Sequence, residues 1–206
     1  MPIDAVVLDI GRVLIEWEPE RFYDSRIGPA RRKQLFEQVP LHEMNLNVDR
    51  GHPFRESVYA LAKQHTEWAE EIRWWHDCWL QMVPRAIPRT LRLMQALQAK
   101  KIPVFALSNF GAETFELACG TYPALRGFDR TFVSAHLKTV KPEPEIYAIL
   151  ERATGVAPDR LLFTDDRLEN IEAADARGWQ THLFTSPAPF AARLVQAGLL
   201  TEQEAA

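Results

Sequence analysis

Ala5-Val6-Val7-Leu8-Asp9-Ile10-Gly11-Arg12-Val13-Leu14 is an apolar run broken by a carboxylate and then a glycine. The residues before the break read as a strand covered on both faces, the habit of parallel sheets, and the break delivers Asp9 to the strand's C-terminal edge. Open α/β sheets place their chemistry along that edge. A carboxylate there has two readings. It caps the strand end, or it serves as a covalent nucleophile that forms an acyl phosphate or an ester.

Three further segments bear on that choice. Ile102-Pro103-Val104-Phe105-Ala106-Leu107-Ser108-Asn109 is a second apolar strand, ending on a hydroxyl and an amide. Lys138-Thr139-Val140-Lys141-Pro142-Glu143-Pro144 sets a lysine just before a proline-started helix. Leu161-Leu162-Phe163-Thr164-Asp165-Asp166-Arg167-Leu168-Glu169-Asn170 is a strand ending on two acids. Adjacent carboxylates at a strand end repel unless a cation lies between them, which favours a metal there.

β-type runs recur at Val6–Leu8, Val104–Leu107, Thr131–Val133, Leu161–Thr164 and Thr181–Phe184. Apolar residues at helical spacing separate the later ones, over Thr90–Lys100, Glu143–Thr154 and Leu168–Arg177, the last stopping at Gly178. Strand–helix alternation predicts an α/β fold: a doubly wound parallel sheet with right-handed crossovers and helices on both faces.

Between the first two strands lies a long insertion, about Trp17 to Ile87, with almost no β pattern. Helix-like runs occupy Ala30–Gln38, Phe54–Gln64 and Glu67–Gln81, and six prolines punctuate them (Pro19, Pro29, Pro40, Pro53, Pro84 and Pro88). The expected division is a core of residues 1–16 and 88–206 with an all-helical insertion over 17–87. Four of the six tryptophans, Trp68, Trp74, Trp75 and Trp79, cluster in the later part of the insertion. They wrap more than one helix face, so they form either a small bundle core or an aromatic surface over a site or dimer contact. Asn47-Val48-Asp49-Arg50-Gly51 is turn-rich, read as a helix connector or as the seat of a specificity loop.

The 206 residues suit one core domain with a modest insertion. A net charge of −4 gives no basic field for nucleic acid or anionic lipid. Cys78 and Cys119 form no disulfide framework and read as reduced, packed thiols of a cytoplasmic protein. The N-terminus lacks the basic region of a signal peptide, and no stretch is apolar enough for a membrane span. The six histidines show no ligand spacing, so no zinc site is expected.

In order and spacing the four segments resemble the haloacid dehalogenase-like hydrolase superfamily, from Val6 to about Phe184. Asp-Ile-Gly-Arg-Val-Leu-Ile-Glu-Trp-Glu-Pro with Leu-Ser-Asn and Phe-Thr-Asp-Asp looks like its small phosphatases with an inserted helical cap, α-glucose-1-phosphatase-like members among them. The resemblance implies a Rossmann-like core, a cap that closes over the site and screens substrates, and Asp9 as nucleophile. It implies Mg²⁺, since two anions must approach each other in phosphoryl transfer to a carboxylate. Asp9, the Gly11 carbonyl and one of Asp165 and Asp166 are the expected ligands. The family pattern favours Asp166 as the direct ligand, Asp165 behind it, and Asn170 supporting the metal's surroundings.

Ser108 by its hydroxyl and Asn109 by its backbone N–H would hold the transferring phosphoryl group, with the next helix start, near Ala112–Phe115, adding a favourable dipole end. Lys141 would neutralise the Asp9–phosphate charge, and Lys138 is the competing lysine. Arg12 binds substrate anion, pairs with Glu16 or Glu18, or faces solvent. One departure stands out. Most phosphatases of the superfamily carry a second aspartate two residues after the nucleophile, as general acid for the leaving group; here that position is Gly11. A positioned proton donor is worth about 10²–10⁴-fold in rate, and a protonated phosphate oxygen, water or a cap residue would have to replace it.

The resulting expectation is a Mg²⁺-dependent hydrolase of a small soluble phosphomonoester such as a sugar phosphate, acting as monomer or homodimer without nucleic-acid or membrane partners. Two alternatives stand beside it. A 2-haloacid dehalogenase would use Asp9 as an ester-forming nucleophile, though that chemistry leaves the Asp165-Asp166 pair without a purpose. A degenerate member would bind a phosphorylated ligand or a partner without turnover.

Overall fold

The structure is a computed structural model, described here over residues 2–206. Five parallel strands, β1 (Ala5–Leu8), β2 (Val104–Ser108), β3 (Arg130–Val133), β4 (Leu161–Asp165) and β5 (Gln180–Leu183), form one sheet in the order β3-β2-β1-β4-β5. The order reverses at β1, so β1 sits centrally, paired to β2 through Val6↔Val104 and to β4 through Val6↔Leu162. Every residue of β1, β2 and β4 is buried, which is why their sequences read as unbroken apolar runs rather than alternating ones.

Alternation nevertheless governs the packing, because successive side chains leave a strand on opposite faces. Ala5 and Val7 join Phe105, Leu107, Leu161 and Phe163 in one apolar layer, covered by α8 (Pro144–Thr154) and α9 (Leu168–Asp175). Val6 and Leu8 join Val104, Ala106 and Leu162 in the other, under α5 (Pro88–Ala99), α6 (Ala112–Thr121) and α10 (Pro187–Gln196). The doubly wound expectation holds. Gly155 ends α8 in the left-handed region at φ 69°, a conformation free of the Cβ penalty other residues carry.

Helices α1 (Pro19–Gln38), α2 (Leu41–Asp49), α3 (Phe54–Gln64) and α4 (Ala69–Asp77) fill the stretch between β1 and α5. The expected helix over 30–38 is the second half of α1, which begins at Pro19 and is interrupted at Gly28, φ 76° and ψ 157°, just ahead of Pro29. The run read as one helix over 67–81 is instead two short 3₁₀ turns, Thr66–Trp68 and Trp79–Met82, flanking α4. The turn-rich 47–51 segment is the end of α2, through Asp49, followed by a turn at Arg50 and Gly51.

Trp68, Trp75 and Trp79 are buried, with Trp74 packed at the edge of the same cluster, so the aromatic residues chiefly build the insertion's interior. Their polar edges are satisfied: Trp75 Nε1 donates to Asn45 Oδ1 at 3.0 Å and Trp68 Nε1 to Gln38 Oε1 at 2.9 Å. That apolar cluster is continuous with the layer on the Val6/Leu8 face of the sheet. Cys78 and Cys119 are unpaired, and Cys119 is buried. Among the described residues, no helix is long and apolar enough to cross a membrane.

Candidate active site

Because β1, β2 and β4 are neighbours in register, their ends deliver Asp9, Ser108 and Asp165 onto one edge of the sheet. Asp9 directly follows β1, its N–H donating to Thr164 O at 3.0 Å across the β1–β4 pair. Lys141 enters between the four-residue turn α7 (Ser134–Leu137) and α8. Its backbone is clamped by the Asn109 side chain, which accepts from Lys141 N at 2.7 Å and donates to Lys141 O at 2.9 Å. The Asn109 amide therefore positions the lysine, leaving its backbone N–H as the group nearer the role expected of it.

The Lys141 ammonium is 3% exposed and spends its three protons on Asp9 Oδ1 at 2.7 Å, Leu107 O at 2.7 Å and Asp165 Oδ2 at 2.5 Å. Burial works against its charge, but Asp165 and Asp9 outweigh it and raise the ammonium above its ordinary range. Asp165, fully buried, has both oxygens engaged. Oδ1 accepts from Arg167 N at 2.9 Å, and Asn170 Nδ2 lies 3.0 Å from each oxygen. Ser108, buried at the end of β2, hydrogen-bonds the Asp9 carboxylate. Burial pushes the Asp9 carboxyl up to about 6, with the Lys141 ammonium pulling it back and Asp165 adding to the rise.

Asp166 is placed differently from its neighbour. It lines the cavity, and its nearest cation is the Arg12 guanidinium at 3.8 Å. Burial and the adjacent Asp165 raise its carboxyl, against Arg12 and Lys141. Carboxylate oxygens of Asp9, Asp165 and Asp166 lie within 4.8 Å of one another. Three carboxylates around one ammonium leave an excess of negative charge in a buried place, which a divalent cation would offset. The Asn170 Oδ1 atom is buried without a hydrogen-bond partner, although Nδ2 of the same amide is engaged, as expected where a hydrated metal supplies the missing donor. An all-oxygen donor set suits Mg²⁺.

A cavity of about 630 Å³ opens over this cluster. Gly11, Ser108, Asn109 and Asn170 line it together with Asp9, Lys141 and Asp166, so the expected site residues converge, with Asp165 one layer beneath. Lys138 is elsewhere: its ammonium reaches Gly51 O at 3.3 Å, joining core to insertion. Arg12 pairs with neither Glu16 nor Glu18, which bind Arg85 and Arg21. Its Nε instead donates to Trp17 O at 3.2 Å and its guanidinium stands half-exposed at the mouth. From the insertion come Trp17 and Trp79, whose rings lie 5.9 Å apart, and Asp49. Asp49 was not among the expected site residues. Its segment, 47–51, reads in sequence as a helix connector or the seat of a specificity loop, and the missing proton donor also points into the insertion.

Sheet order, edge chemistry and insertion define an α/β hydrolase core with its reactive carboxylate after the first strand. The family pattern of haloacid dehalogenase-like hydrolases matches residues 3–178, and the chain belongs to that family. It is 24% identical over 196 residues to the D-ribitol-5-phosphate phosphatase of Bacteroides thetaiotaomicron, covering 87% of this chain and 90% of that protein. It is 26% identical over 188 residues to drimenol cyclase drtB of Aspergillus calidoustus, covering 88% of this chain but only 34% of the relative, so the chain spans about a third of that protein's length. Among solved structures, a HAD family enzyme from Bacteroides thetaiotaomicron in complex with magnesium and inorganic phosphate superposes with a TM-score of 0.63 at 21% identity, covering 89% of this chain and 95% of that one. The L-2-haloacid dehalogenase of Xanthobacter autotrophicus, with chloropropionic acid covalently bound, superposes at 0.61 and 18% identity, covering 98% and 86%. Such overlays show the fold; the choice of reaction falls to the site.

Proposed function

We propose that the protein is a Mg²⁺-dependent phosphomonoesterase for a small soluble phosphate such as a sugar phosphate, working through a phosphoryl group carried on Asp9. The observation that carries this reading is the charge imbalance at the sheet edge, three carboxylates against one buried ammonium and the half-exposed Arg12 guanidinium, beside the unpartnered Asn170 Oδ1. Halide displacement by a lone aspartate has no use for that excess.

Asp9, Asp166 and the Gly11 carbonyl would hold the metal, with Asp165 and Asn170 behind them. Mg²⁺ supplies charge neutralisation between the attacking carboxylate and the phosphoryl oxygens. The chain's own residues do the rest. Lys141 keeps Asp9 anionic and oriented at 2.7 Å, leaving one oxygen to attack phosphorus. The Ser108 hydroxyl and the N–H groups entering α6 receive the phosphoryl oxygens, and Arg12 adds charge at the mouth. Water then attacks the phosphorus of the aspartyl phosphate and regenerates Asp9.

The insertion over 17–87 acts as the cap, closing the cavity with Trp17, Trp79 and α2. A volume near 630 Å³ is within the range of small-metabolite pockets. The test is phosphate release from an aryl phosphate and a panel of sugar phosphates, with Mg²⁺ and with EDTA, beside halide release from 2-chloropropionate. Phosphate release abolished by EDTA supports the proposal. Halide release indifferent to EDTA, or silence in both arms, overturns it.

A further inference from the structure

The family's usual proton donor is missing at Gly11. Of the cavity carboxylates that the chemistry above does not use, Glu16 pairs with Arg85, Glu20 with Arg12, and Glu43 is exposed, which leaves Asp49. We propose that Asp49, at the end of α2, is the general acid that protonates the leaving oxygen. The inference rests on the phosphomonoesterase reading.

Three observations place Asp49 for this work. First, it lines the same cavity as Asp9, on the wall supplied by the insertion, so a leaving group turned toward that wall would meet it. Second, its carboxyl is held by built contacts. Asn45 Nδ2 donates to Asp49 Oδ2 at 3.1 Å, while Asn45 Oδ1 accepts from Trp75 Nε1 at 3.0 Å, which orients the amide. The Gly111 N–H also donates to the carboxyl.

Third, this end of the insertion is pinned to the core rather than left free to swing. Ser134 Oγ donates to Asp49 O at 2.6 Å, Arg50 pairs with Glu143 at 2.5 Å, and Phe54 N donates to Glu113 Oε1 at 2.8 Å. The approach is so close that a Cβ on Gly111 would lie 2.6 Å from Val48 Cγ1.

The surroundings favour a protonated acid. Asp49 faces Asp9, Asp166 and Lys141 across the cavity; His42 and Glu43 share its helix, and neighbouring Arg50 is engaged by Glu143. Burial pushes its carboxyl up to about 7; the Gly111 and Asn45 donors and the Lys141 ammonium oppose this, and Asp9 reinforces it.

The step balances. As Asp9 Oδ forms its bond to phosphorus, the P–O bond to the leaving group breaks, and the Asp49 proton passes to that oxygen, releasing an alcohol. The water that attacks the aspartyl phosphate gives up one proton to solvent, Asp49 takes one back from solvent, and phosphate leaves with both carboxyls restored.

The test compares esters of different leaving group. Asp49→Asn, close in shape, is expected to lower kcat on an alkyl phosphate such as glycerol 3-phosphate by about 10²–10⁴-fold. On 2,4-dinitrophenyl phosphate, whose leaving group departs without a proton, little change is expected. Equal losses on both esters, or none on the alkyl ester, would overturn the assignment. The wild type gives a reading independent of the variant's folding. With an internal acid its kcat depends weakly on leaving-group pKa across an aryl phosphate series; a steep dependence counts against Asp49. Failure of the wild type to release phosphate from any ester would instead remove the phosphatase reading itself.

Discussion

Lys141 and Asp165 meet at 2.5 Å in a place where neither touches solvent, and Asp165 receives its remaining hydrogen bonds from Asn170 and the Arg167 N–H. The pair divides the labour of two adjacent acids. Asp165 is consumed in fixing the ammonium that orients Asp9, and Asp166, one residue on, keeps its carboxylate toward the cavity. A buried ion pair of this kind contributes position more than stability, because desolvation of both partners offsets much of their attraction.

Breaking the pair from one side exposes that cost. Lys141→Ala leaves Asp9 and Asp165 buried without their shared cation, so the expected loss is about 3–5 kcal/mol of unfolding free energy without metal, together with activity. Urea denaturation with and without Mg²⁺ measures it. Added Mg²⁺ should recover part of the stability and little of the rate. Unchanged stability would mean that the two carboxylates find another partner.

Metal binding should itself be visible in stability. Saturating Mg²⁺ raises the apparent unfolding free energy by about 2.7 kcal/mol at a hundredfold excess over Kd, and Asp166→Ala should abolish most of that gain while leaving the metal-free melting temperature nearly in place. Calorimetric scans in EDTA and in Mg²⁺ give both numbers. An intact Mg²⁺ shift in the variant would move the ligand role to Asp165.

The pH dependence of stability has a sign fixed by Asp49. Its folded-state carboxyl is raised to about 7, well above the unfolded value of about 4, so between those values the folded state holds a proton that the unfolded chain has released. Stability from this group therefore falls as pH rises from 4 toward 7 and levels off above it. Asp49→Asn has nothing to ionise. Relative to wild type in EDTA, the variant should gain stability across that interval, as read by denaturation at pH 5 and pH 8.

Position 11 offers the complementary experiment. A Cβ built on Gly11 meets no heavy atom within 4 Å, and its φ is not in the left-handed region. Gly11→Asp should therefore fold, and in the Asp49→Asn background it should raise the rate on alkyl phosphates by more than tenfold, a modest share of what a positioned acid supplies. Steady-state kinetics on the single and double variants decide it.

Much of this site was legible because three of its residues come at strand ends. Asp9, Ser108 and Asp165 follow apolar runs whose burial forces the strand, and a parallel sheet carries all three ends to one edge. The insertion was less legible for a physical reason. Helix α1 is two helical pieces that meet at Gly28, φ 76° and ψ 157°; Pro29 marks the start of the second, whereas the first, from Pro19, does not read as a helix in the sequence. Helix α2 has no side-chain N-cap, and its Asn45, Asn47 and Asp49 imitate a turn; in the fold Trp75 takes up the Asn45 amide and Gly111 the Asp49 carboxyl. The environment of Asp49 is assembled from β1, α2, α4 and the start of α6, and no local pattern encodes such a meeting.

The central claim is that phosphoryl transfer passes through Asp9. The direct measurement is rapid acid quench of the Mg²⁺ enzyme during turnover of an aryl phosphate, followed by peptide mass mapping. The account predicts one phosphoryl group on the peptide carrying Asp9, absent in EDTA and absent in Asp9→Asn, whose turnover falls by at least about 10³-fold with its fold intact. Steady turnover with no phosphorylated peptide, or the same adduct in Asp9→Asn, would contradict it.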